Sequence, residues 1–242
     1  MKVSVVIPAF NEEKLLGACL DSVRAAFAAQ PGGTEHEVVV CDNNSSDGTA
    51  ALAASRGVKT VFEPLNRIGC ARNSGAAAAS GEWLLFIDAD SRLSPDTLKK
   101  TLRLMESGTC CGGGTLMALV DPLPPWWGRV LVRLWNLISV TLRLAAGSYI
   151  FCRRDGFTEV GGFSPLLYAG EELQLSRSLR RWGAARGLKF EIITSSRHSC
   201  SGRKFSIYGF WELMAQTLDF LRGPFGAVRD PGRLKVFYGG KR

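Results

Sequence analysis

The chain has 242 residues, of which 46% are hydrophobic and 21% are charged, which is typical of one sizeable globular core and excludes a disordered chain. Residues 1–128 carry 11 basic and 14 acidic side chains, whereas residues 129–242 carry 19 basic and 8 acidic ones, for a net charge of +8. The positive second half suits an anionic partner, namely a diphosphate, an acidic membrane face or nucleic acid. Nucleic acid fits worst, since the chain has no helix-turn-helix, zinc-finger or RNA-binding signature.

The first ninety residues alternate between short apolar runs and helical patterns. Strands are predicted at 3–7, 37–41, 58–62 and 83–87, with helices at 11–29, 49–55 and 71–79 between them. This order predicts a parallel sheet with helices on both faces, in which ligands bind at the carboxyl ends of the strands. Polar residues stand at three of these ends: Asn11 with Glu12, Asp42 to Asp47, and Asp88 with Asp90.

The rest of the chain mixes the two patterns. Ser94 and Pro95 predict a capped helix that ends near Met105. Further strands are predicted at 110–120, 147–152 and 190–193, and further helices at 126–145, 171–182 and 207–221.

Seven cysteines, an odd number without a C-x-x-C motif, predict reduced and mostly buried thiols. The N-terminal apolar run breaks at Pro8, too early for a signal peptide, and no apolar stretch of about 18 residues predicts a transmembrane helix. We therefore expect a cytoplasmic protein.

Two acidic segments follow buried strands. Asp88 and Asp90 can share a divalent cation whose other positions are filled by phosphate oxygens, or they form a solvated turn. Asp42 can accept a hydrogen bond from a nucleotide base, while Asp47 caps the next helix. Neither a dinucleotide fingerprint nor a P-loop is present.

The segments VSVVIPAFNEE, VVVCDNNSSDGTA, NRIGCARNSGAAAASGEWLLFIDAD, EVGGF and GEELQLSRSLRRWG occur in the order and spacing of family 2 glycosyltransferases. The chain resembles this family over about residues 2–200. The resemblance implies the α/β GT-A nucleotide-binding fold, a Rossmann-like, mostly parallel central sheet flanked by helices. It implies transfer of a sugar from a nucleotide sugar, with UDP expected, to an acceptor hydroxyl with inversion and with Mn²⁺ or Mg²⁺.

The resemblance also divides the chain. A catalytic domain is expected at 1–205, with a nucleotide-binding half to about 120 and an acceptor-binding half from 121, followed by a helix and basic tail at 206–242. On the donor side, Asp42 would read the uracil ring, and Arg67 would contact the diphosphate or be a surface charge. Arg72 is predicted to be a charge on a helix surface. The matching nucleoside-pocket residues are Pro8, Ala9, Phe10, Asn11 and Glu12.

The metal and acceptor sites follow from the same resemblance. Asp88, with Ala89, would face the ribose or the metal, and Asp90 would ligate the metal. The family usually has Glu-Asp where this chain has Glu171-Glu172, so Glu172 is the predicted general base of this catalytic pair. The alternative is that both acids stabilise the start of a helix.

Two basic features add to this site. His198 would complete the metal shell or touch the diphosphate, or it is structural. Arg197, Arg203 and Lys204 are predicted to form a lid over the phosphates or a solvated loop.

The helix at 126–145 is strongly apolar. Arg129, Arg133, Asn136 and Arg143 form one narrow polar stripe, and tryptophan stands at its start. It fits an interfacial membrane helix, which would place the protein at the inner face of the membrane with a lipid-linked acceptor. Packing on the catalytic domain or on a second subunit, as in a homodimer, is equally open, and the acceptor is then a sugar or small molecule.

Two other functions are compatible with a nucleotide-binding sheet of this kind. A nucleotidyltransferase would need a glycine-rich basic loop after the first strand, where this chain has the acidic PAFNEE. A non-catalytic nucleotide-sugar-binding protein would not need Asp88, Asp90 and Glu172.

Overall fold

A computed structural model describes residues 1–207, 209 and 212; most of the predicted segment 206–242, with its helix at 207–221, lies outside these residues. The strands are β1 (Lys2–Ala9), β2 (Glu35–Asp42), β3 (Lys59–Phe62), β4 (Trp83–Ile87), β5 (Cys110–Val120), β6 (Tyr149–Arg153) and β7 (Lys189–Ser201). The helices are α1 (Leu16–Ala28), α2 (Thr49–Ser55), α3 (Ile68–Ala78), α4 (Pro95–Glu106), α5 (Trp126–Leu142), α6 (Arg154–Glu159), α7 (Glu171–Ala184) and α8 (Arg203–Ile207).

All seven strands join one sheet in the order β3-β2-β1-β4-β6-β5-β7. β1 pairs in parallel with β2 and β4, and β2 with β3, whereas β6 is antiparallel to both β4 and β5. Because two reversals cancel, β5 and β7 run in the direction of β1. The predicted mostly parallel sheet is confirmed, and the carboxyl ends of six strands point the same way.

The sheet is buried on both faces, as its uninterrupted apolar strands predict. On one face Val5, Ile7 and Leu85 pack under α1, α2 and α4. On the other face Val6 and Phe86 pack under α3, α6 and α7. All seven cysteines are buried thiols.

The helix bounds agree with the caps seen in the sequence. The Ser94 hydroxyl accepts the Thr97 backbone N–H at 3.1 Å, and α4 begins at Pro95 as predicted. The six-residue helix α6 was not predicted, since it is too short to show a period. Within the described part of the chain, every helix is too short or too polar to cross a bilayer.

The largest departure is β7, which runs eight residues beyond the predicted end at Ile193. Past Gly114, the last residue of β5 that pairs with β6, β5 and β7 continue as a two-stranded ribbon to Val120 and Ser201. Arg197 therefore lies in a strand, and its prediction as part of a loop was wrong. The residues of β7 after Ile193 do not alternate between polar and apolar, because the ribbon extends beyond the sheet.

The helix α5 packs on this ribbon, and its predicted polar stripe is not a single surface. Asn136 is buried, and its side chain accepts the Met117 backbone N–H at 3.0 Å and donates to the Met117 carbonyl at 2.9 Å. Arg129, Arg133 and Arg143 are exposed. The amide therefore attaches the helix to β5, and of the four residues of the predicted stripe only the arginines face solvent.

Candidate active site

The loops after β1 and β2 are joined at the carboxyl edge of the sheet. Asn11 adopts a left-handed conformation with φ of 54°, which aims its side-chain carbonyl at the Ser46 backbone N–H at 2.8 Å. The Asn11 backbone N–H donates to Ser45 Oγ at 3.0 Å, and the Glu12 N–H donates to Thr49 Oγ1 at 2.8 Å. These bonds hold the two loops as one rim.

Asp42 ends β2 directly beside Ala9 of β1 and is buried. One of its carboxylate oxygens accepts the backbone N–H of Ser45, three residues further on, at 3.2 Å. Asp47 is structural, as predicted, because it accepts the backbone N–H groups of Thr49 at 3.0 Å and Glu13 at 3.2 Å. Against the opposing effect of burial, the hydrogen bond from the Thr49 hydroxyl and these backbone hydrogen bonds lower the pKa of Asp47.

Arg72 links the two sides of the site. Its Nη2 lies 2.9 Å from Asp88 Oδ1 and 3.0 Å from the Gly147 carbonyl, and its Nη1 lies 2.8 Å from Glu171 Oε1. The guanidinium carbon stands 5.2 Å from the centre of the Phe163 ring. One buried cation thus joins the acid at the end of β4 to the acid at the start of α7.

The prediction that Arg72 is a surface charge was wrong, since its side chain is only 2% exposed. Ion pairs can offset the desolvation of a buried guanidinium. The sequence holds one signal that points inward: Gly69 and Ala76 lie three residues before and four after Arg72, on the same helix face, and both are buried.

The two adjacent glutamates have different surroundings. Glu171 is buried and paired with Arg72, whereas Glu172 is half-buried. Loss of water and the neighbouring charge of Glu171 raise the pKa of Glu172, although Arg72 opposes this shift. A raised pKa makes the ionised Glu172 carboxylate a stronger base than an ordinary glutamate.

Asp90 faces a cation from the far end of the chain. Arg203, which follows β7, places Nη2 3.5 Å from Asp90 Oδ2 and Nη1 3.0 Å from Glu12 Oε2. Its second nitrogen also bonds the Glu12 carboxylate. A basic residue therefore lies over the acidic edge, and the role of Arg203 over the phosphates stays a prediction.

His198 lies on β7 and is buried, with its ring centre 5.0 Å from that of Tyr149. Neither ring nitrogen has a hydrogen-bond partner of normal geometry. Burial lowers the pKa of His198 to about 4, against the opposing effects of the Asp88 charge and the Ser148 backbone. The imidazole is therefore uncharged at neutral pH, with a lone pair available for a cation or a donor group.

The remaining predicted residues are spread along the same edge. Arg67 Nη1 donates to the Pro165 carbonyl at 2.6 Å, and its guanidinium carbon lies 4.4 Å from the centre of the Tyr168 ring. The structure therefore gives Arg67 protein partners and leaves its predicted role toward the diphosphate untested. Three of the others are buried and one is half-buried: Pro8, Ala9, Ala89 and Phe10.

The acids at this edge fit a divalent cation only in part. No group of three or more His, Cys, Asp and Glu side chains among residues 1–207, 209 and 212 is arranged to hold a metal ion. Asp88 and Asp90 supply carboxylate oxygens, which are the ligands that Mn²⁺ and Mg²⁺ prefer. A cation held there would need oxygens from the diphosphate of a bound nucleotide.

Two solved structures share this architecture. The first 349 residues of S. aureus TarS, solved in complex with UDP-GlcNAc, are 21% identical, and the match covers 98% of this chain and 70% of that chain with a TM-score of 0.65. The mannosyltransferase PcManGT from Pyrobaculum calidifontis, solved in complex with GDP-Man and Mn²⁺, is 20% identical over 98% of this chain and 68% of that chain, with a TM-score of 0.66. The fold is that of the GT-A glycosyltransferases.

Sequence comparison narrows the class to a family. Residues 4–159 match glycosyl transferase family 2, and the chain therefore belongs to this family. An uncharacterised glycosyltransferase of Mycobacterium bovis is 34% identical over 137 residues, 56% of this chain and 59% of that protein. Glycosyltransferase AglE of Haloferax volcanii is 27% identical over 190 residues, 72% of this chain and 60% of that protein. The chain spans about three fifths of the length of these relatives.

Proposed function

We propose that this protein transfers a sugar from a nucleotide sugar, with UDP as the expected nucleotide, to an acceptor hydroxyl with inversion of the anomeric carbon. One observation carries the proposal: the Arg72 guanidinium holds Asp88 and Glu171 in one site. Asp88, the acid that would contact the donor, therefore lies close to Glu171 and to its neighbour Glu172. A family 2 match over residues 4–159 supports the same function.

On the donor side, Asp42 and the rim formed by the β1 and β2 loops would bind the base and ribose. Asp88 and Asp90 would hold Mn²⁺ or Mg²⁺ together with oxygens of the diphosphate, and the neutral His198 imidazole would contact the same diphosphate. When bound, the cation would supply positive charge that stabilises the leaving diphosphate. Arg203 would donate to the same phosphates when its carboxylate partners turn to the donor.

On the acceptor side, Glu172 would remove the proton of the attacking hydroxyl. Its raised pKa suits this role, whereas the Arg72 ion pair keeps Glu171 occupied as a positioning residue. A single base without a covalent nucleophile leads to inversion. The longer Glu172 side chain reaches one methylene further than the aspartate usual in the family.

The helix α5 supports a lipid-linked acceptor. Most of its exposed residues are apolar, and it lies beside α8, since the Trp127 and Phe205 ring centres are 5.3 Å apart. Because Arg203 of α8 reaches Asp90, a bilayer at α5 would lie next to the donor site. A lipid carrier would then present its hydroxyl or sugar to Glu172.

Calorimetric titration of the protein with UDP, GDP and TDP, each with and without Mn²⁺, tests the donor assignment. We expect one nucleotide to bind tightly and to need the metal. Asp90→Asn should abolish the metal dependence, whereas the matched control Asp96→Asn, at an exposed acid on α4, should not. No binding of any nucleotide in either condition would refute the donor site.

A further inference from the structure

The helix α5 faces the protein with its small and polar residues. Gly128, Asn136 and Ser139 are its buried positions. At Gly128 a Cβ atom would stand 2.8 Å from the Phe205 ring, so the helix approaches closely there. The apolar side chains are therefore left on the opposite side, which reverses the usual amphipathic arrangement.

That opposite side is largely apolar, with the exposed Arg129 and Arg133 along one flank. Trp126, Val130, Leu134 and Leu137 follow one another at spacings of four, four and three residues, which places them on one helix face. Trp126 is 71% exposed and Leu137 is 63% exposed. Exposed apolar patches of this kind mark contact with another apolar phase. Further exposed residues extend it: Leu131, Val140 and Leu142.

A basic cavity adjoins the end of this face. Its volume is about 450 Å³, and its lining includes five cationic residues: Arg143, Arg177, Arg180, Arg181 and Lys189. No aspartate or glutamate of the described chain lines it. Arg143 caps α5, and Arg180 Nη1 donates to the carbonyl of Leu142, the last residue of α5. The apolar face and the cavity therefore meet at the C-terminal end of α5.

We propose that this cavity binds the phosphate headgroups of anionic lipids while the apolar face of α5 lies in the interface of the bilayer. Five cations without an acid complement a phosphate-bearing surface. Tryptophan at one end of the helix and arginine along its flank are typical of interfacial helices. The proposal extends the membrane contact proposed for α5 and does not depend on the transfer reaction.

Charge argues against a second copy of the chain as the occupant. In a two-fold contact both copies present the same surface, so the arginines of the cavity and of α5 would be brought near a surface that carries the same positive charges. The whole chain carries +8, which adds to this repulsion. An anionic bilayer removes the repulsion and buries the same apolar side chains.

Co-sedimentation with large vesicles tests the proposal on the full chain. One set contains phosphatidylcholine alone, and the other contains equal parts of phosphatidylcholine and phosphatidylglycerol. Arg177→Gln with Arg181→Gln should weaken binding to the anionic set by about 30-fold, because each basic residue near an anionic surface contributes about 1 kcal/mol. Leu134→Gln with Leu137→Gln should weaken binding to both sets.

The matched control is Arg24→Gln with Arg103→Gln, which removes the same charge from exposed positions on α1 and α4, across the sheet from α7. An equal loss in this control, or unchanged binding of the Arg177 and Arg181 variant, would overturn the headgroup site. A dimer in solution that dissociates on Leu134→Gln would assign the face to self-association instead. UDP binding, measured on the same samples, separates failure here from failure of the proposed transfer reaction.

Discussion

Because Arg72 is buried between two carboxylates, we expect its replacement to lower the stability of the protein strongly. Replacing it by methionine keeps much of the side-chain volume but removes the cation between Asp88 and Glu171. Both carboxylates then lose their only observed ion-pair partner among the described residues. Breaking a buried ion pair by removing one partner costs about 3–5 kcal/mol. For a chain of this size, 1 kcal/mol shifts Tm by about 2–4 °C, so Arg72→Met should lower Tm by roughly 6–20 °C.

The control for this substitution is Arg153→Met. Arg153 also forms an ion pair, at 2.7 Å from Asp155, but the two side chains are 39% and 48% exposed. Exposed pairs contribute about 0–1 kcal/mol, so Tm should change by less than about 4 °C. Thermal unfolding followed by circular dichroism measures both variants. Equal shifts for Arg72→Met and Arg153→Met would refute the reasoning.

A second variant separates charge from packing. Glu171→Gln in the Arg72→Met background removes one of the two uncompensated charges while keeping the shape of the side chain. We expect the double variant to recover part of the lost Tm. A double variant that is no more stable than Arg72→Met would mean that lost packing causes the effect.

Three further predictions follow from single contacts. Glu172→Gln should lower kcat by about 10²–10⁴-fold with little change in donor binding. As the pH is lowered, the rate of the parent should begin to fall at a pH where an ordinary glutamate is still ionised, because burial raises the pKa of Glu172 and only the deprotonated form accepts the proton. Against the opposing effect of burial, hydrogen bonds from two serines lower the pKa of Glu37 from 4.5 to about 2. The parent should therefore exceed Glu37→Gln in free energy of unfolding by its full margin above pH 4.5, and this margin should disappear as the pH falls toward 2. Urea unfolding of both proteins measures the difference. Gly113→Ala should lower Tm, because its Cβ would lie 1.9 Å from the Glu191 carbonyl oxygen, whereas Gly17→Ala, whose Cβ has the end of a flexible arginine side chain as its nearest neighbour at 3.2 Å, should not.

The alternation of the first ninety residues was enough to predict most of the fold. Strand β4 and the helices α2 and α4 follow the predicted patterns closely, because each has a local signal: an apolar run, an alanine-rich stretch or a Ser-Pro cap. The rule that ligands bind at the carboxyl ends of parallel strands then predicted where Asp42 and Asp88 lie. Local patterns therefore located the edge of the site.

The connections across the site could not be predicted in this way. Arg72 and Glu171 are 99 residues apart, and Arg203 and Glu12 are 191 apart. The hydrophobic periodicity of a segment does not reveal which distant residue it will contact. Each of these contacts depends on how the sheet brings α3, α7 and β7 together. The charge of Arg72 indicated an exposed side chain, and only its position among small buried residues of α3 indicates a buried one.

The predicted division at residue 120 cuts through the sheet. β5, which ends the predicted nucleotide-binding half, has β6 and β7 as its neighbours, and both come from the other half. β6 also covers the edge of β4. A fragment of residues 1–120 would therefore leave β5 without a neighbour and expose an apolar edge strand, which is a template for aggregation.

Expression of this fragment provides a direct measurement. We expect an insoluble product or a chain without a cooperative unfolding transition, because Arg72 also loses Glu171 as a partner. A parallel fragment of residues 1–207, which keeps all seven strands and Arg203, should unfold cooperatively. A soluble, cooperatively unfolding 1–120 fragment would show that the donor half is an independent domain, and that the ion pair between the halves is not needed to hold the donor acids in place.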